Sequence, residues 1–409
     1  MERKAKQSYS IPLRLQRVAG IDCHQGSFQV AICVEGECPT MLTFDTFTED
    51  VFRLRDTLLL NDIKDVIIES TGVYWRFVYR VLKEAGVRVV VVNPYSVKQV
   101  PLEKTDKNDA IWLATILMNG MARPSFLVSE QQEALRELTR QRTHYTQQLT
   151  RVKNRIVRTL ESCNIKIMSV ISNISTKTGR LLVKKFSEGV TDLDELIGCC
   201  HARVRSKKGD LLPKAFSGRL TPNHQLQLRF LLEDWDHIEK QRAKTSESIK
   251  MLFSEDQKAI MERLQIVEGI AQESSEVIMA EMGINAKDFK NEDSVSKYGG
   301  FAPGVHQSAD KKTFVKCHPG NKYLRTILIQ VAWAAVRSKD GYWRAVYHHF
   351  KKSLRSKKAI VAVARRLLKV IYKLITTDYK YEKWNSRKFH ENRARIVEYK
   401  NKHQLQKAS

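Results

Sequence analysis

The stretch RVAGIDCHQGSFQVAICVEG, residues 17–36, indicates how the N-terminal third of the chain folds. Its first part, RVAGIDC, is a short apolar run that closes at Asp22. After a turn that contains glycine, SFQVAICVEG follows as the partner strand of a hairpin would. The stretch PTMLTFDTF (39–47) is a candidate third strand. The chain is therefore predicted to open with an antiparallel sheet.

Helix and strand patterns alternate after this hairpin. TEDVFRLRDTLLLN (48–61) has helical spacing, with Thr48 as its candidate N-cap and acidic residues in the first turn. KDVIIES (64–70) is a strand of the buried type, VYWRFVYRVLKEAG (73–86) is a helix, and VRVVVVNP (87–94) is typical of a strand covered on both faces. This order predicts an α/β domain with a mixed sheet at about residues 15–125.

A long helix is predicted from Ser129 onward, and a second over NHQLQLRFLLEDWDHIEKQRAKTSESIKMLF (223–253). The first helix has heptad spacing with two polar interruptions. One seam is Leu135, Arg142, Leu149, Ile156 and Cys163, and the other is Leu138, Tyr145, Val152 and Thr159. Basic residues are expected on its outer faces: Arg136, Arg140, Arg151, Lys153, Arg155 and Arg158. Residues 126–258 are thus interpreted as a helical coiled-coil region. A solvated helical hairpin and an oligomerising coiled coil that faces phosphates both remain open.

The last third is predicted to be mostly helical. It opens with a helix–turn–helix-like stretch at 264–283, followed by a loop-rich piece at 297–321 and a helix at 322–338. A very basic helical end follows, and the predicted domain spans residues 259–380. Residues 1–14 are interpreted as a basic arm and 381–409 as a basic polar tail.

The charge of the chain points to a polyanionic partner. Lys plus Arg number 70 and Asp plus Glu number 45, a net charge of +25. No apolar run is long enough to cross a membrane, and no signal peptide is expected. The seven cysteines are scattered, so reduced thiols in a cytoplasmic protein are expected. Composition leaves a nucleic-acid binder and a nucleic-acid enzyme equally open.

Four carboxylates form the candidate catalytic set. Asp22 and Glu69 each end a predicted strand, and Asp106 and Asp109 are three residues apart at a helix start. The carboxyl ends of neighbouring parallel strands face one crevice, and Mg²⁺ takes carboxylate oxygens. Two such ions would clamp a phosphodiester, with Lys104 and Lys107 near its phosphates. For either helix-start aspartate alone, capping is a sufficient explanation.

Several stretches resemble the insertion sequence 110 (IS110) family of transposases. In the N-terminal part these are GIDCHQGSFQVAI, IIESTGVYW, VVNPYSVKQV and KTDKNDAIWLA. In the last third, YGGFAPGVHQSADKK, HPGNKYLRTIL and AVARRLLKVIY resemble the second conserved domain of the family. The resemblance implies a RuvC-like (RNase H-like) domain whose DEDD tetrad falls on Asp22, Glu69, Asp106 and Asp109 and holds Mg²⁺ or Mn²⁺.

The same resemblance implies a serine nucleophile in the C-terminal domain. The family's serine motif matches HQSAD and so points to Ser308, with Ala309 where glycine is common. By sequence alone Ser308 is a loop hydroxyl, and Ser274 and Ser275 fall in a helix-like run. Glu268 occupies the place of a proline in the family's Pro-Gly turn. Ser308 would attack a DNA phosphodiester and hold the strand as a phosphoserine ester.

The resemblance also implies the partners. These are donor and target DNA, a bridge RNA encoded by the element, and further copies of the chain in a dimer or tetramer, in a prokaryotic cytoplasm near the nucleoid. Candidate contacts to nucleic acid are Lys322 and Arg325 at a helix start, and Arg365 and Arg366 in the basic end. Two rival functions stay open: a metal-only RuvC-type nuclease or junction resolvase, and a non-catalytic nucleic-acid-binding protein.

Overall fold

The computed structural model describes residues 15–70, 72–97, 106–283, 286, 289–302, 304–308, 311–315, 317, 320–339 and 341–395. For residues 95, 96, 106, 107, 304–308 and 311–315 only the backbone is described. The predicted basic arm, residues 1–14, lies outside the described residues. The chain divides into two compact units between Leu127 and Val128, and each unit is described by itself.

The first unit contains a mixed five-stranded sheet. Its strands are β1 (Arg17–Cys23), β2 (Phe28–Val34), β3 (Thr40–Phe44), β4 (Asp65–Glu69) and β5 (Arg88–Val92). Their order is β3-β2-β1-β4-β5; β1, β2 and β3 pair antiparallel, and β4 runs parallel to both β1 and β5. The helices are α1 (Thr48–Leu60), α2 (Trp75–Glu84), α3 (Pro94–Val97) and α4 (Asp106–Met118). The predicted mixed α/β sheet is confirmed, and its topology is that expected of an RNase H-like domain.

Both faces of this sheet are covered, which explains its continuous apolar runs. On β1, Ile21 packs into a core with α1 and α2, whereas Val18 packs into a second core with α4. On β5, Val89 contacts the first core and Val90 the second, as predicted for this strand. The predicted cap of α1 is wrong, because Thr48 is the first helical residue and Phe47 precedes it without a side-chain cap.

Two long antiparallel helices dominate the first part of the second unit. Helix α5 (Glu130–Ser162) begins at the N-cap Ser129, and α11 (Pro222–Leu252) begins with a capping box made by Thr221 and His224. All five residues of the first predicted seam are buried. Its C-terminal half packs with Leu228, Leu231 and Trp235 of α11. The second seam is buried only at Val152. The partner of α5 thus lies within the same chain, and an oligomerising coiled coil stays a prediction.

Short helices fill the far end of this hairpin. They are α6 (Ile167–Val170), α7 (Lys177–Glu188), α8 (Leu193–Gly198), α9 (Ala202–Lys208), a 3-10 helix (Gly209–Leu211) and α10 (Leu212–Phe216). The basic stretch RVRSKKGD (203–210) lies on α9 and the 3-10 helix after it. Phe186 and Phe216 meet edge to face in the core that these helices close.

The remainder of the second unit is helical with one hairpin. Its elements are α12 (Glu255–Gln265), α13 (Gln272–Met282), α14 (Glu292–Tyr298), β6 (Gly304–Ser308), β7 (Lys311–Val315), α15 (Lys322–Val336), α16 (Tyr342–Lys351) and α17 (Ser356–Thr376). The predicted helix–turn–helix stretch, 264–283, contains the last two residues of α12 and the whole of α13, so its first helix begins earlier than expected. The predicted loop-rich piece, 297–321, instead contains the last two residues of α14 and the β6–β7 hairpin.

The predicted polar tail is also partly wrong. Residues 386–395 form a C-terminal helix, and Phe389 on it is buried because it packs against the ring of Tyr342. All seven cysteines are free thiols, as expected. Within the described part of the chain, every helix is too short or too polar to span a bilayer.

Candidate active site

The pairing of β1 with β4 brings the two strand-end carboxylates to one edge of the sheet. These strands are parallel neighbours, with Gly20 opposite Ile67 and Ile21 opposite Ile68. Asp22 and Glu69 are the next residues along each strand. Asp22 is buried and Glu69 is half-buried. The carboxyl ends of adjacent strands face the same crevice, which is where ligands bind in α/β sheets.

Gly20 brings helix α4 to the same edge. A Cβ atom at Gly20 would lie 2.1 Å from the carbonyl oxygen of Ala110 and 2.6 Å from the amide nitrogen of Ala114. Helix α4 therefore rests directly on the backbone of β1, which only glycine permits. Asp109 directly precedes Ala110 on α4, and its charge acts on Asp22.

Three carboxylates influence one another at this edge. Burial raises the pKa of Asp22; His24 opposes the shift, and the charges of Glu69 and Asp109 add to it. The His24 Nε2 atom lies 2.9 Å from Asp22 Oδ2. The structure thus gathers three of the four predicted tetrad members, although they are far apart in sequence. His24 was not anticipated, and its only sequence signal is its position two residues after Asp22.

The structure describes no side chain for the fourth carboxylate or for the two flanking lysines. Asp106 is the first residue of α4, but its side chain and that of Lys107 are outside the described residues, as is all of Lys104. Among the side chains that are described, no three His, Cys, Asp or Glu residues are close enough to hold a metal ion. The donor set is nevertheless of the hard, oxygen-only kind that Mg²⁺ and Mn²⁺ take.

The predicted nucleophile lies on a strand rather than in a loop. Ser308 is the last residue of β6 and pairs with Lys311 of β7, and residues 309 and 310 lie outside the described residues. The alternatives Ser274 and Ser275 are buried on α13. The Ser274 hydroxyl accepts the amide of Ala271 at 2.8 Å. These two serines therefore have capping and packing roles.

Two of the four candidate arginine and lysine contacts that the structure describes donate hydrogen bonds within the protein. Arg325 donates to the carbonyl oxygen of Gly300 and lies over the Phe301 ring, 5.1 Å from its centroid. Arg365 donates to Asp293 at 3.2 Å. Lys322 and Arg366 are exposed.

The helix start that was expected to bind phosphate is already capped. The Oδ1 atom of Asn321 accepts the backbone amides of Tyr323 and Leu324, each at 3.0 Å. A phosphate at this end of α15 would therefore compete with an existing cap. The prediction of a ready phosphate site between Lys322 and Arg325 is corrected accordingly.

Sequence reasoning missed a buried ionic network in the second unit. Glu281 is fully buried, and Arg140 donates to its two oxygens at 2.8 and 2.9 Å. Asn321 donates to the same carboxylate at 2.7 Å, and Arg136 donates to the Glu281 carbonyl oxygen at 2.7 Å. Arg136 and Arg140 thus hold α5 to α13 and α15, and the prediction that both face outward is wrong.

The comparisons with known proteins agree with this arrangement. Residues 19–165 match the DEDD transposase model of the IS110 family, and residues 261–348 match the model described as the transposase IS116/IS110/IS902 family. The two matches together span more than half of the chain. The chain belongs to the IS110 family of transposases. A protein of Sinorhizobium fredii (strain NBRC 101917 / NGR234) with the provisional name of transposase y4rJ is 25% identical over 333 residues, which cover 76% of each chain.

Membership in the IS110 family assigns this chain to the DNA-cleaving and recombining enzymes, and such a transposase binds DNA. The DEDD transposase family typically uses a divalent metal. The first matched region contains all four predicted acids, and the second contains both Ser308 and Glu268.

Gly20→Ala is expected to lower the rate of DNA cleavage by about 10²-fold, because α4 must move away from β1 and carries Asp109 with it. The same overpacking should destabilise the first unit by roughly 1–3 kcal/mol. Both quantities can be measured on one preparation, by single-turnover cleavage and by urea unfolding. The matched control is Gly26→Ala, because nothing lies within 4 Å of a Cβ atom at Gly26. Equal activity of the two variants would contradict the close packing of α4 on β1.

Proposed function

We propose that this transposase cuts and rejoins donor and target DNA by transesterification, with Ser308 as the nucleophile. The observation that carries the proposal is the gathering of Asp22, Glu69 and Asp109 at one sheet edge, where burial raises the pKa of Asp22 and the charges of Glu69 and Asp109 add to the shift. Carboxylates that repel each other in a buried crevice lower stability, so their retention points to chemistry rather than to folding. Asp106 completes the proposed tetrad.

The proposed reaction is a balanced exchange of phosphate esters. The Ser308 hydroxyl attacks the phosphorus of a DNA phosphodiester, and the bond from phosphorus to one deoxyribose oxygen breaks. The serine proton ends on the departing oxygen, so one strand carries a free hydroxyl and the other is esterified to Ser308. A hydroxyl of a second strand then reverses the step. The ester conserves the bond energy, so rejoining needs no ATP.

A serine hydroxyl is a weak nucleophile and has to be activated. Asp22, Glu69, Asp106 and Asp109 would hold Mg²⁺ or Mn²⁺, and such an ion, when bound, stabilises the negative charge that develops on a phosphodiester. The buried position of Asp22 favours this role, because a carboxylate that is partly stripped of water gains most from a cation.

The charge of the chain and its helical hairpin support two further proposals, an RNA partner and an oligomer. A net charge of +25 supports the proposal that the protein holds a structured RNA of its own element as well as DNA. Because α11 covers the C-terminal half of the first seam of α5 and Glu276 of α13 pairs with Arg142 in its N-terminal half, a dimer or tetramer would use the less buried seam that contains Leu138 and Tyr145. Mass photometry with and without the RNA measures this directly.

A covalent-trapping experiment tests the central step. The protein is incubated with Mg²⁺, end-labelled donor and target DNA and the RNA that flanks the element, then denatured and resolved by gel electrophoresis. A DNA band that migrates with protein is expected for the native chain and for Ser353→Ala, which alters an exposed serine, but not for Ser308→Ala. The adduct should also disappear when Mg²⁺ is chelated.

The two rival functions give different bands. Free cleavage products that persist in Ser308→Ala would replace the proposal with a metal-only nuclease. Binding without cleavage or adduct, unchanged when all four acids are replaced by their amides, would replace it with a non-catalytic nucleic-acid-binding protein.

A further inference from the structure

The C-terminal segment after α17 folds back onto α16 and builds one wall of two neighbouring cavities. The backbone of Gly341 forms a β-bridge with Asn385, and the amide of Tyr342 donates to the carbonyl oxygen of Trp384 at 3.2 Å. Phe389 is buried against Tyr342 further along the same segment. This backbone junction lies between the two cavities, because Tyr342 and Trp384 line the first, whereas Gly341 and Phe389 line the second.

The first cavity, here called the aromatic cavity, has a volume of about 290 Å³. Five aromatic side chains line it: Tyr342, Trp343, Tyr379, Tyr381 and Trp384. The charged residues of its lining are Arg366, Lys369, Lys373, Glu292 and Glu382, with one more positive than negative charge. Its size is at the lower end of ligand sites, which suits one planar group rather than a duplex.

Hydrogen bonds and ring contacts hold aromatic side chains of this cavity in place before any ligand binds. Tyr381 donates to Oε2 of Glu268 at 2.5 Å, and Trp343 donates to the same oxygen at 3.2 Å. The rings of Trp343 and Trp384 stand edge-on to Tyr342, at 5.2 and 5.3 Å between centroids. Glu268 is the residue that departs from the family's proline, so this chain has its own anchor for the cavity. Fixed rings lose little entropy when they bind a ligand.

The second cavity, here called the cationic groove, lies on the other side of the junction and has a volume of about 490 Å³. Its charged and titratable lining residues are Lys339, Arg344, Lys352, Arg393, His348, His349 and His390. None of these described lining residues is acidic, in contrast to the aromatic cavity. A groove with four permanent positive charges and no carboxylate favours a chain of phosphates.

We propose that these two cavities form a binding site for an unpaired stretch of nucleic acid. One base enters the aromatic cavity and stacks on its rings, and the adjoining backbone phosphates lie in the cationic groove. A duplex would not fit, because its bases already stack on one another and their faces are not available to protein rings. The site stands on residues separate from Ser308 and the acidic tetrad, so it does not rest on the proposed recombination chemistry.

Photo-crosslinking of the full-length protein locates the site. The probes are a 12-nucleotide RNA and a 12-nucleotide DNA of the same sequence, each with one 5-iodo-pyrimidine, and the corresponding blunt duplex. Peptides that contain Tyr379 or Trp384 should crosslink to a single-stranded probe and not to the duplex. The stronger of the RNA and DNA arms identifies the source of the strand. Crosslinks confined to other peptides would overturn the proposal.

Binding measurements on variants separate the two halves of the site. Tyr379 is 40% exposed, and Tyr379→Ala should weaken single-strand binding about five- to tenfold with little change in its salt dependence. The double variant Arg344→Gln/Lys352→Gln should reduce the slope of log affinity against log salt by about 1.4. Its matched control, Arg203→Gln/Lys207→Gln on α9, should leave the slope unchanged. Wild-type affinity and slope in the aromatic and groove variants, with native circular dichroism, would refute the site.

Discussion

Asp22→Asn is expected to lower DNA cleavage by at least about 10²–10³-fold while leaving the first unit as stable as before, or more stable. The loss is of the size seen when one preorganised electrostatic contact to a transition state is removed. The shape of the side chain is kept, and the amide oxygen can still accept a hydrogen bond from His24. What disappears is one negative charge among three that interact.

The effect on stability has a definite sign. Burial raises the pKa of Asp22, with His24 opposing the shift and Glu69 and Asp109 adding to it. The folded state therefore binds this proton more tightly than the unfolded state does, and stability falls as pH rises from the unfolded pKa through the folded one. At neutral pH the charge on Asp22 lowers the free energy of unfolding, and asparagine removes that charge. Thermal melts without divalent metal, at pH 5 and pH 8, should show a larger advantage of Asp22→Asn at pH 8.

Asp65→Asn is the matched control for this prediction. Asp65 lies at the opposite end of β4 and is paired with Arg88. Its replacement should leave cleavage unchanged. An Asp22→Asn variant that cleaves DNA at the wild-type rate would remove Asp22 from the catalytic set.

The meeting of Asp22 and Glu69 at one sheet edge could be predicted, because it follows from local sequence patterns. Apolar runs of strand length close at Asp22 and Glu69, and parallel neighbours in a sheet place such ends together. The need for glycine at position 20, in the GID stretch, can also be explained once α4 is known to cross β1. The sequence alone does not show that crossing. His24 could not be predicted, because its contact with Asp22 depends on how the turn after β1 bends.

The errors of prediction concern contacts between distant segments. Arg136 and Arg140 occupy heptad positions that face solvent on an isolated helical hairpin, so they were placed outside. They are turned inward because α13 carries Glu281 against the N-terminal half of α5. The packing of α13 also explains why Arg142 interrupts the apolar heptad seam, because Arg142 pairs with the buried Glu276 of α13. A seam interrupted by arginine was therefore a signal of a second packing partner.

Glu281→Gln is expected to destabilise the second unit by about 3–5 kcal/mol, the usual effect of removing one partner from a buried ion pair. The carboxylate is fully buried and accepts hydrogen bonds from Arg140 and Asn321, and Arg136 approaches it to 3.5 Å. Glutamine keeps the shape but removes the charge that pairs with Arg140 and that Arg136 approaches. Urea unfolding followed by tryptophan fluorescence measures the loss, since Trp235, Trp333, Trp343 and Trp384 report on this unit.

The comparison variant is Asp293→Asn, which breaks an ion pair of similar length on the surface. Asp293 is 63% exposed and lies 3.1 Å from Lys369 and 3.2 Å from Arg365. Its loss should destabilise the protein by less than about 1 kcal/mol, because water and salt already screen the pair. Equal effects of Glu281→Gln and Asp293→Asn would mean that Glu281 is not held as an ion in solution.

A triple variant separates the contribution of this ionic network to stability from its contribution to recombination. Replacing Arg136, Arg140 and Glu281 together by methionine removes the three charges of this network, and such replacements are often neutral or stabilising. We therefore expect the triple variant to recover most of the stability that Glu281→Gln loses. Recombination should nevertheless remain impaired, because Asn321, the last residue of the HPGN stretch in the second family region, would lose its carboxylate partner at the start of α15. A triple variant as unstable as Glu281→Gln would show instead that the ion pairs themselves hold α5 to α13.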